Sequence, residues 1–167
     1  MNVAKCMKTK VIIAKKETDY MSLLCKIVDS APRQAYIVDD NYKLLGIVSA
    51  MDLLKEIIPS YLTADLARSL TDESGFLKKQ IEKAKSTRAA DIMIENYFFV
   101  RPYHQLLEAD ALITEKGFNT LPVLDEQGKI LGEITRSDIL LHLINRCVDF
   151  DRDEQRFVDL ALLPIQK

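Results

Sequence analysis

The fold is decided by the stretch Lys129-Ile-Leu-Gly-Glu-Ile-Thr-Arg-Ser-Asp-Ile-Leu140, because the chain contains its layout twice. The earlier copy is Lys43-Leu-Leu-Gly-Ile-Val-Ser-Ala-Met-Asp-Leu-Leu54, which has the same order of apolar residues, glycine, hydroxyl residue and aspartate. The copies lie 86 positions apart, so that Asp52 matches Asp138. Each copy predicts a short strand that contains a glycine, followed by a helix that begins at Ser/Thr-x-x-Asp.

The duplication extends well beyond this motif. Shifted by 86 positions, the chain aligns with itself without a gap from about residue 3 to residue 58. A repeat of this length predicts two copies of one supersecondary unit, each too small to bury both faces of its own sheet. Identical pairs include Ala4/Ala90, Met7/Met93, Ile27/Ile113, Asp39/Asp125, Lys43/Lys129, Leu45/Leu131, Gly46/Gly132 and Asp52/Asp138.

Each unit has the pattern strand, helix, strand, strand, helix, which predicts an α/β (α+β) fold. In the first unit the predicted elements are Val11–Ala14, Thr18–Ser30, Ala35–Val38, Lys43–Val48 and Ser49–Ile58. In the second unit they are Tyr97–Val100, Gln105–Lys116 with Gly117 as its C-cap, Leu121–Leu124, Lys129–Ile134 and Thr135–Arg146.

Two segments lie outside the repeats. We divide the chain into repeat 1 (1–58), a helical connector (59–87), repeat 2 (88–146) and a C-terminal tail (147–167) that we predict to be helical. In the connector, Leu62, Leu66 and Leu70 recur at helical spacing, and a second helix is predicted from Phe76 to Lys85.

Composition excludes several classes of function. A formal net charge of −2 argues against binding to nucleic acid. No apolar run reaches the roughly 20 residues that span a bilayer, and no apolar signal core follows Met1, so we expect a cytoplasmic protein that does not bind membranes. The three cysteines and the two histidines, His104 and His142, are too widely spaced to predict a disulfide framework or a metal site.

The Ser/Thr-x-x-Asp motif allows two interpretations. In one, the hydroxyl and the aspartate form a capping box, which stabilises a helix by about 1 kcal/mol and needs no ligand. In the other, a short carboxylate on the first turn of the helix also accepts two charge-assisted hydrogen bonds from a cis-diol, such as the 2′- and 3′-hydroxyls of a ribose.

The chain resembles a pair of cystathionine-beta-synthase-type (CBS) domains, the tandem called a Bateman module. The resemblance is carried by Ala90–Met93, Gly117–Asp125, Gly132–Asp138 and, in the first copy, Gly46–Asp52. It implies two repeats that pack face to face about a pseudo-twofold axis. It also implies regulatory binding of an adenosine-containing ligand, such as AMP, ADP, ATP, S-adenosylmethionine or cyclic di-AMP, in the clefts between the repeats.

The resemblance further implies which residues bind. Asp52 and Asp138 would hold the ribose, and Ser49 and Thr135 would supply the neighbouring hydroxyls. Phosphates would meet residues just before the second strand of each repeat, or the arginine inside the motif; these candidates are Arg33, Gln34, Asn119, Thr120 and Arg136. No metal or other cofactor is required, and a homodimer and a separate effector protein are the implied partners.

The two copies also differ. Repeat 1 has Ala31-Pro32 and Tyr36 where repeat 2 has Gly117-Phe118 and Pro122, and repeat 2 lacks a basic pair before its second strand. These departures argue against a triphosphate at one or both clefts. The alternative to a sensor is a dimerisation scaffold whose clefts hold no ligand. An enzyme is disfavoured because no nucleophile motif, phosphate-binding glycine loop or metal pattern is present.

Overall fold

The computed structural model of the 167-residue chain describes residues 1–30 and 33–147 and has the predicted mixed α/β fold with two similar halves. The predicted C-terminal helix therefore lies outside the described residues, except for Cys147. In chain order the elements are a 3-10 turn at Val3–Lys5, β1 (Ile13–Ala14), α1 (Tyr20–Val28), β2 (Gln34–Val38), β3 (Leu44–Ser49), α2 (Ala50–Ile57), α3 (Ala64–Arg68), α4 (Glu73–Ala84), α5 (Ala89–Ile92), α6 (Leu106–Lys116), β4 (Thr120–Leu124), β5 (Ile130–Thr135) and α7 (Arg136–Cys147).

The two sheets share one hairpin design. The first sheet has the order β1-β2-β3, with β1 parallel to β2 and β2 antiparallel to β3, and the second pairs β4 with β5 antiparallel. In each hairpin turn an aspartate, Asp39 or Asp125, accepts hydrogen bonds from two backbone amides. The register repeats as well, because Gln34 pairs with Ser49 and Thr120 pairs with Thr135.

The predicted strand Tyr97–Val100 is wrong. Only Val100 pairs with the sheet of repeat 2, through a single parallel bridge to Val123. Phe98 and Phe99, which the continuous apolar run predicts to be buried, are 37% and 39% exposed.

Pro122 explains this difference between the repeats. In repeat 1 the backbone N–H of Tyr36 donates to the carbonyl of Ile12 at 2.8 Å, which ties the first strand to the second. The matching residues are Pro122 and Phe98, and proline has no N–H to donate. The ladder therefore cannot extend to Phe98.

The helices begin and end close to the predicted residues. Ser49 is the N-cap of α2, and Gly117, with φ of 73°, ends α6 in the left-handed conformation that its position as a C-cap predicts. In the connector, α3 and α4 begin at side-chain caps from Thr63 and Asp72. No helix of the described residues is long and apolar enough to cross a bilayer.

Each repeat packs against the leading segment of the other repeat, and we call these two segments, residues 3–10 and 89–96, the leaders. Val3 packs in the core of repeat 2, together with Val100 and Ile113. Conversely, Ala89 packs in the core of repeat 1, with Met93 against it. The two halves are therefore held together by exchanged segments as well as by the apolar contact between their sheets.

The exchanged segments pair with the strands that precede the Ser/Thr-x-x-Asp motifs. Lys8 and Glu133 exchange two backbone hydrogen bonds, at 2.8 and 2.9 Å, and Ile94 and Ile47 exchange the equivalent pair, at 2.8 and 3.0 Å. A Cβ on Gly132 would lie 2.3 Å from the backbone oxygen of Lys8, so the duplicated glycine permits this close approach. As a result, each motif has a residue of the opposite leader beside it.

Candidate ligand-binding site

The first Ser/Thr-x-x-Asp motif forms the capping box that its spacing predicts. Oδ2 of Asp52 accepts hydrogen bonds from the N–H of Ser49 at 2.8 Å and from its hydroxyl at 2.7 Å. The hydroxyl of Ser49 in turn accepts from the N–H of Asp52 at 3.3 Å. Within the described part of the chain, no residue donates to Oδ1 of Asp52. One carboxylate oxygen therefore fixes the helix start, and the other is available to a ligand.

A cleft of about 230 Å³ lies beside this motif. Both repeats contribute to its walls, and most of the lining side chains are apolar or aromatic. The polar lining residues include Gln34, Ser49 and Asp52 from repeat 1 and Asn96 from repeat 2. The lining residues are Gln34, Ile47, Ser49, Asp52, Ile94, Asn96, Tyr97, Phe98, Phe118 and Leu121.

The aromatic wall is positioned by contacts of its own. The hydroxyl of Tyr97 donates to the carbonyl of Leu44 at 2.8 Å, and burial raises the pKa of this phenol, so that it remains a donor. The rings of Phe98 and Phe118 pack with their centroids 5.6 Å apart. The ammonium of Lys116 lies 5.3 Å from the centroid of Phe98, which places a cation beside the aromatic wall.

The second motif has the same cap but different surroundings. Oδ2 of Asp138 accepts from the N–H of Thr135 at 2.9 Å and from its hydroxyl at 2.7 Å. Oδ1 of Asp138 forms an ion pair with the ammonium of Lys8 at 2.9 Å. Asp138 is only 7% exposed, so its carboxylate is engaged on both oxygens and largely covered.

A series of hydrogen-bonded polar side chains leads from the Asp52 cleft through the protein interior toward Asp138. The amide of Gln34, which lines the cleft, donates to the hydroxyl of Tyr36 at 2.6 Å, and that hydroxyl donates to Glu133 at 2.7 Å. Burial raises the pKa of Glu133, with a further contribution from the charge of Asp138, while Tyr36 and Lys8 act in the opposite direction. Burial also raises the pKa of Tyr36 well above its usual value.

The predicted phosphate-binding residues are dispersed. Gln34 lines the Asp52 cleft, but its neighbour Arg33 is exposed and is not among the lining residues. Arg136 lies in a separate apolar groove along α6 and α7 and donates to the carbonyl of Ile113 at 3.4 Å. Asn119 is exposed, whereas Thr120 is buried in β4, opposite Thr135.

Sequence reasoning did not identify Ile94 and Phe118 as site residues, and it assigned Phe98 to a core strand. The exchange of leaders brings Ile94 to the cleft, and self-alignment cannot show this exchange because it pairs each leader with its own repeat. The sequence signal that Phe98 does not lie in a strand was Pro122, because proline lacks the N–H that would pair with Phe98.

The family assignment rests on a match to both halves of the chain. The family model of the CBS domain matches residues 3–59 and 89–145. The chain belongs to the CBS domain family. It therefore carries a tandem CBS pair, as its internal repeat and its two-part fold indicate.

Similar CBS proteins include a plant protein. The chain is 29% identical over 140 residues to the chloroplastic CBS domain-containing protein CBSX2 of Arabidopsis thaliana, covering 77% of this chain and 56% of CBSX2. A crystal structure of CBSX2 has a TM-score of 0.70 and 26% identity, covering 86% of this chain and 94% of the solved chain. CBSX2 in complex with AMP has a TM-score of 0.66 at the same identity, covering 86% and 96%.

A more distant neighbour supports the fold alone. The CBS domain pair of protein MJ0100, solved in complex with 5′-methylthioadenosine and S-adenosylmethionine, has a TM-score of 0.63 and 16% identity. The similarity covers 87% of this chain and 97% of that one.

Proposed function

We propose that this CBS pair is a non-catalytic regulatory module that binds an adenosine-containing ligand in the Asp52 cleft. The observation that carries the proposal is the free Oδ1 of Asp52 at the wall of an apolar, aromatic-lined cleft. A ribose diol donates to this oxygen, and the adenine lies among the apolar side chains. Charge-assisted bonds of this kind are stronger than neutral ones, which selects for a diol at this position.

The size of the cleft favours the nucleoside part of the ligand. Its volume of about 230 Å³ is somewhat below the roughly 300 Å³ at which small-molecule pockets usually begin. Phosphates then extend out of the cleft. Lys116, beside Phe98, is the cation best placed to meet them, and Arg33 remains a candidate at the end of the strand that carries Gln34.

The relatives support the class of ligand. CBSX2 has been solved in complex with AMP. A monophosphate agrees with the small cleft and with the absence of a basic pair before β4. We therefore place AMP, and with it the nucleoside adenosine, ahead of the other ligands that the family resemblance implies, which are ADP, ATP, S-adenosylmethionine and cyclic di-AMP.

Isothermal titration calorimetry with these adenosine compounds tests the proposal. We expect Asp52→Asn to weaken AMP binding roughly ten- to hundredfold, because hydrogen bonds to a charged group contribute about 1.5–3 kcal/mol. Asp40→Asn is the matched control, since it makes the same chemical change on the exposed side chain of a hairpin turn. Its affinity should equal that of the wild type.

Two results would contradict the proposal. One is the absence of binding by any of these compounds below millimolar concentration. The other is an unchanged affinity in Asp52→Asn while the variant remains folded by circular dichroism. The first result would favour the alternative function, a ligand-free scaffold, and the second would mean that the ligand binds away from Asp52.

Signalling follows from where the ligand binds. The cleft walls come from both repeats, so a ligand that contacts Asp52 and Phe118 together favours one packing of the halves over another. A separate effector protein would read this difference. The cytoplasmic location and the division into 1–58, 59–87, 88–146 and 147–167 remain predictions from the sequence.

Association into a homodimer is supported by an exposed apolar surface. A groove of about 860 Å³ follows α6 and α7, and Leu107 and Leu140 in its lining are 75% and 59% exposed. Apolar patches of this kind mark protein interfaces. We expect analytical ultracentrifugation to find a dimer that Leu140→Glu converts to a monomer. A monomeric wild type would refute both the dimer and the scaffold alternative.

A further inference from the structure

We infer that Lys8 occupies the ribose position of Asp138 and so closes the second cleft, which is the equivalent beside Asp138 of the Asp52 cleft, with the result that the chain binds a single adenosine-containing ligand. The inference rests on the proposed binding of such a ligand at Asp52. It makes Lys8, which belongs to the leader of repeat 1, the residue that decides how many sites the pair has.

The ion pair uses the oxygen that the ligand would need. In both repeats Oδ2 of the motif aspartate is engaged by its own helix cap. In Asp52, Oδ1 accepts from no residue of the described ranges 1–30 and 33–147, whereas in Asp138 it lies 2.9 Å from the ammonium of Lys8. A diol that enters the second cleft must displace one charge-assisted contact to form another of the same kind. The net gain in free energy is therefore close to zero.

Alignment of the two repeats shows which residues cause the difference between the two clefts. Lys8 and Ile94 are equivalent positions, and each pairs through its backbone with the strand that precedes the opposite motif. The side chain of Ile94 has no hydrogen-bond donor that could pair with Asp52, so it lines the open cleft without closing it. Glu133 adds to the difference, because the equivalent position beside the open cleft is Ile47. The second cleft thus has an additional acid that disfavours phosphate.

A buried hydroxyl indicates that the second cleft still has a binding wall. Thr120 is 8% exposed, and its Oγ1 has no hydrogen-bond partner among the residues that the structure describes. Buried hydroxyls are rarely left unpaired. Thr120 matches Gln34, which lines the open cleft, and pairs across the hairpin with Thr135. A ligand admitted to the second cleft would meet Thr120, Thr135 and Asp138 together.

Removal of the lysine should therefore create a second site. Lys8 is half exposed in its side chain, so Lys8→Ile, which copies Ile94, and Lys8→Met, which keeps the length, should both fold. The probe is adenosine, because it carries no phosphate for Glu133 to repel. By calorimetry we expect one adenosine per wild-type chain and two per chain in each variant. The second affinity should lie within about tenfold of the first.

Three further variants show which site has been gained. Lys10→Ile removes the same charge from an exposed residue of the same leader, and it should leave the stoichiometry at one. Adding Asp138→Asn to Lys8→Ile should weaken binding only at the new site, and adding Asp52→Asn should weaken binding only at the original one. Circular dichroism and thermal melting verify that each variant is folded.

The outcomes separate this inference from the proposed function. Two adenosines on the wild type, or one on folded Lys8→Ile and Lys8→Met, would overturn it. If the wild type binds none and Lys8→Ile gains one that depends on Asp138, Lys8 does close the second cleft, but the Asp52 site and the single-ligand stoichiometry fail. If neither protein binds adenosine, both fail.

Discussion

The two Ser/Thr-x-x-Asp motifs are built alike but face different surroundings. Asp52 and Asp138 make the same hydrogen bonds to their own helix caps, at 2.7 to 2.9 Å. The first adjoins an apolar cleft, and the second adjoins Lys8 and Glu133, whose carboxylate accepts from the buried hydroxyl of Tyr36. The motif therefore fixes the position of the carboxylate. The leader that crosses from the other repeat determines whether that carboxylate can accept hydrogen bonds from a ligand.

The largest effect on adenosine affinity is expected when a lysine is placed beside the open cleft. Ile94→Lys places an ammonium beside Asp52 at the position that Lys8 has beside Asp138. We expect it to weaken adenosine binding by about a hundredfold or more, because the diol then has to displace a charge-assisted contact. Ile94 is 48% exposed, so a long side chain is tolerated there. Titration calorimetry measures the effect.

Ile94→Met is the control for this variant, since it retains an apolar side chain of similar length. Its affinity should stay within a few-fold of the wild type. Equal affinities in Ile94→Lys and Ile94→Met would mean that a lysine at this position does not close a cleft, and the explanation of the difference between the two sites would be lost.

A smaller effect, on stability, is expected when the buried hydrogen bonds of Tyr36 are removed. Tyr36→Phe removes the hydroxyl that donates to Glu133 and accepts from Gln34, and it leaves a buried carboxylate without that partner. We expect a loss of about 1–3 kcal/mol in the free energy of unfolding, measured by urea denaturation.

Tyr20→Phe provides the matched comparison. Its hydroxyl is also buried, but it donates to the neutral backbone carbonyl of Leu53 at 2.8 Å. We expect a loss of about 0.5–1.5 kcal/mol. A larger loss for Tyr20→Phe than for Tyr36→Phe would show that the link to Glu133 contributes little.

The smallest predicted effect is on the pH dependence of the free energy of unfolding. Burial and the charge of Asp138 raise the pKa of Glu133 in the folded chain, although Tyr36 and Lys8 oppose this. The folded state thus holds this proton more tightly than the unfolded chain does, and stability falls as pH rises from the ordinary glutamate pKa through the raised one. Glu133→Gln should remove this fall. An identical pH dependence of the unfolding free energy in both proteins would contradict the raised pKa.

Much of the fold could be predicted because the repeat doubles every local signal. The hairpins at Asp39 and Asp125, the N-cap at Ser49 and the C-cap at Gly117 follow from local chemistry, and the structure has all four. The strand at Tyr97–Val100 failed because its partner Pro122 lies more than 20 positions away and lacks the N–H that the ladder requires.

The site could be predicted only in part. The sequence identifies the carboxylates, since their spacing defines the cap. It does not identify the residues opposite them, because Lys8 and Ile94 reach the clefts by crossing to the other repeat. Self-alignment shows that these two residues are equivalent, and only the three-dimensional exchange shows that one of them faces Asp138 and the other faces Asp52.

A crystal structure of the full chain grown with adenosine tests the central claim most directly. We expect one adenosine per chain, with a ribose hydroxyl about 2.5–3.0 Å from Oδ1 of Asp52 and the ammonium of Lys8 still paired with Asp138. Adenosine bound against Asp138 with Lys8 displaced, or bound away from both aspartates, would contradict the account.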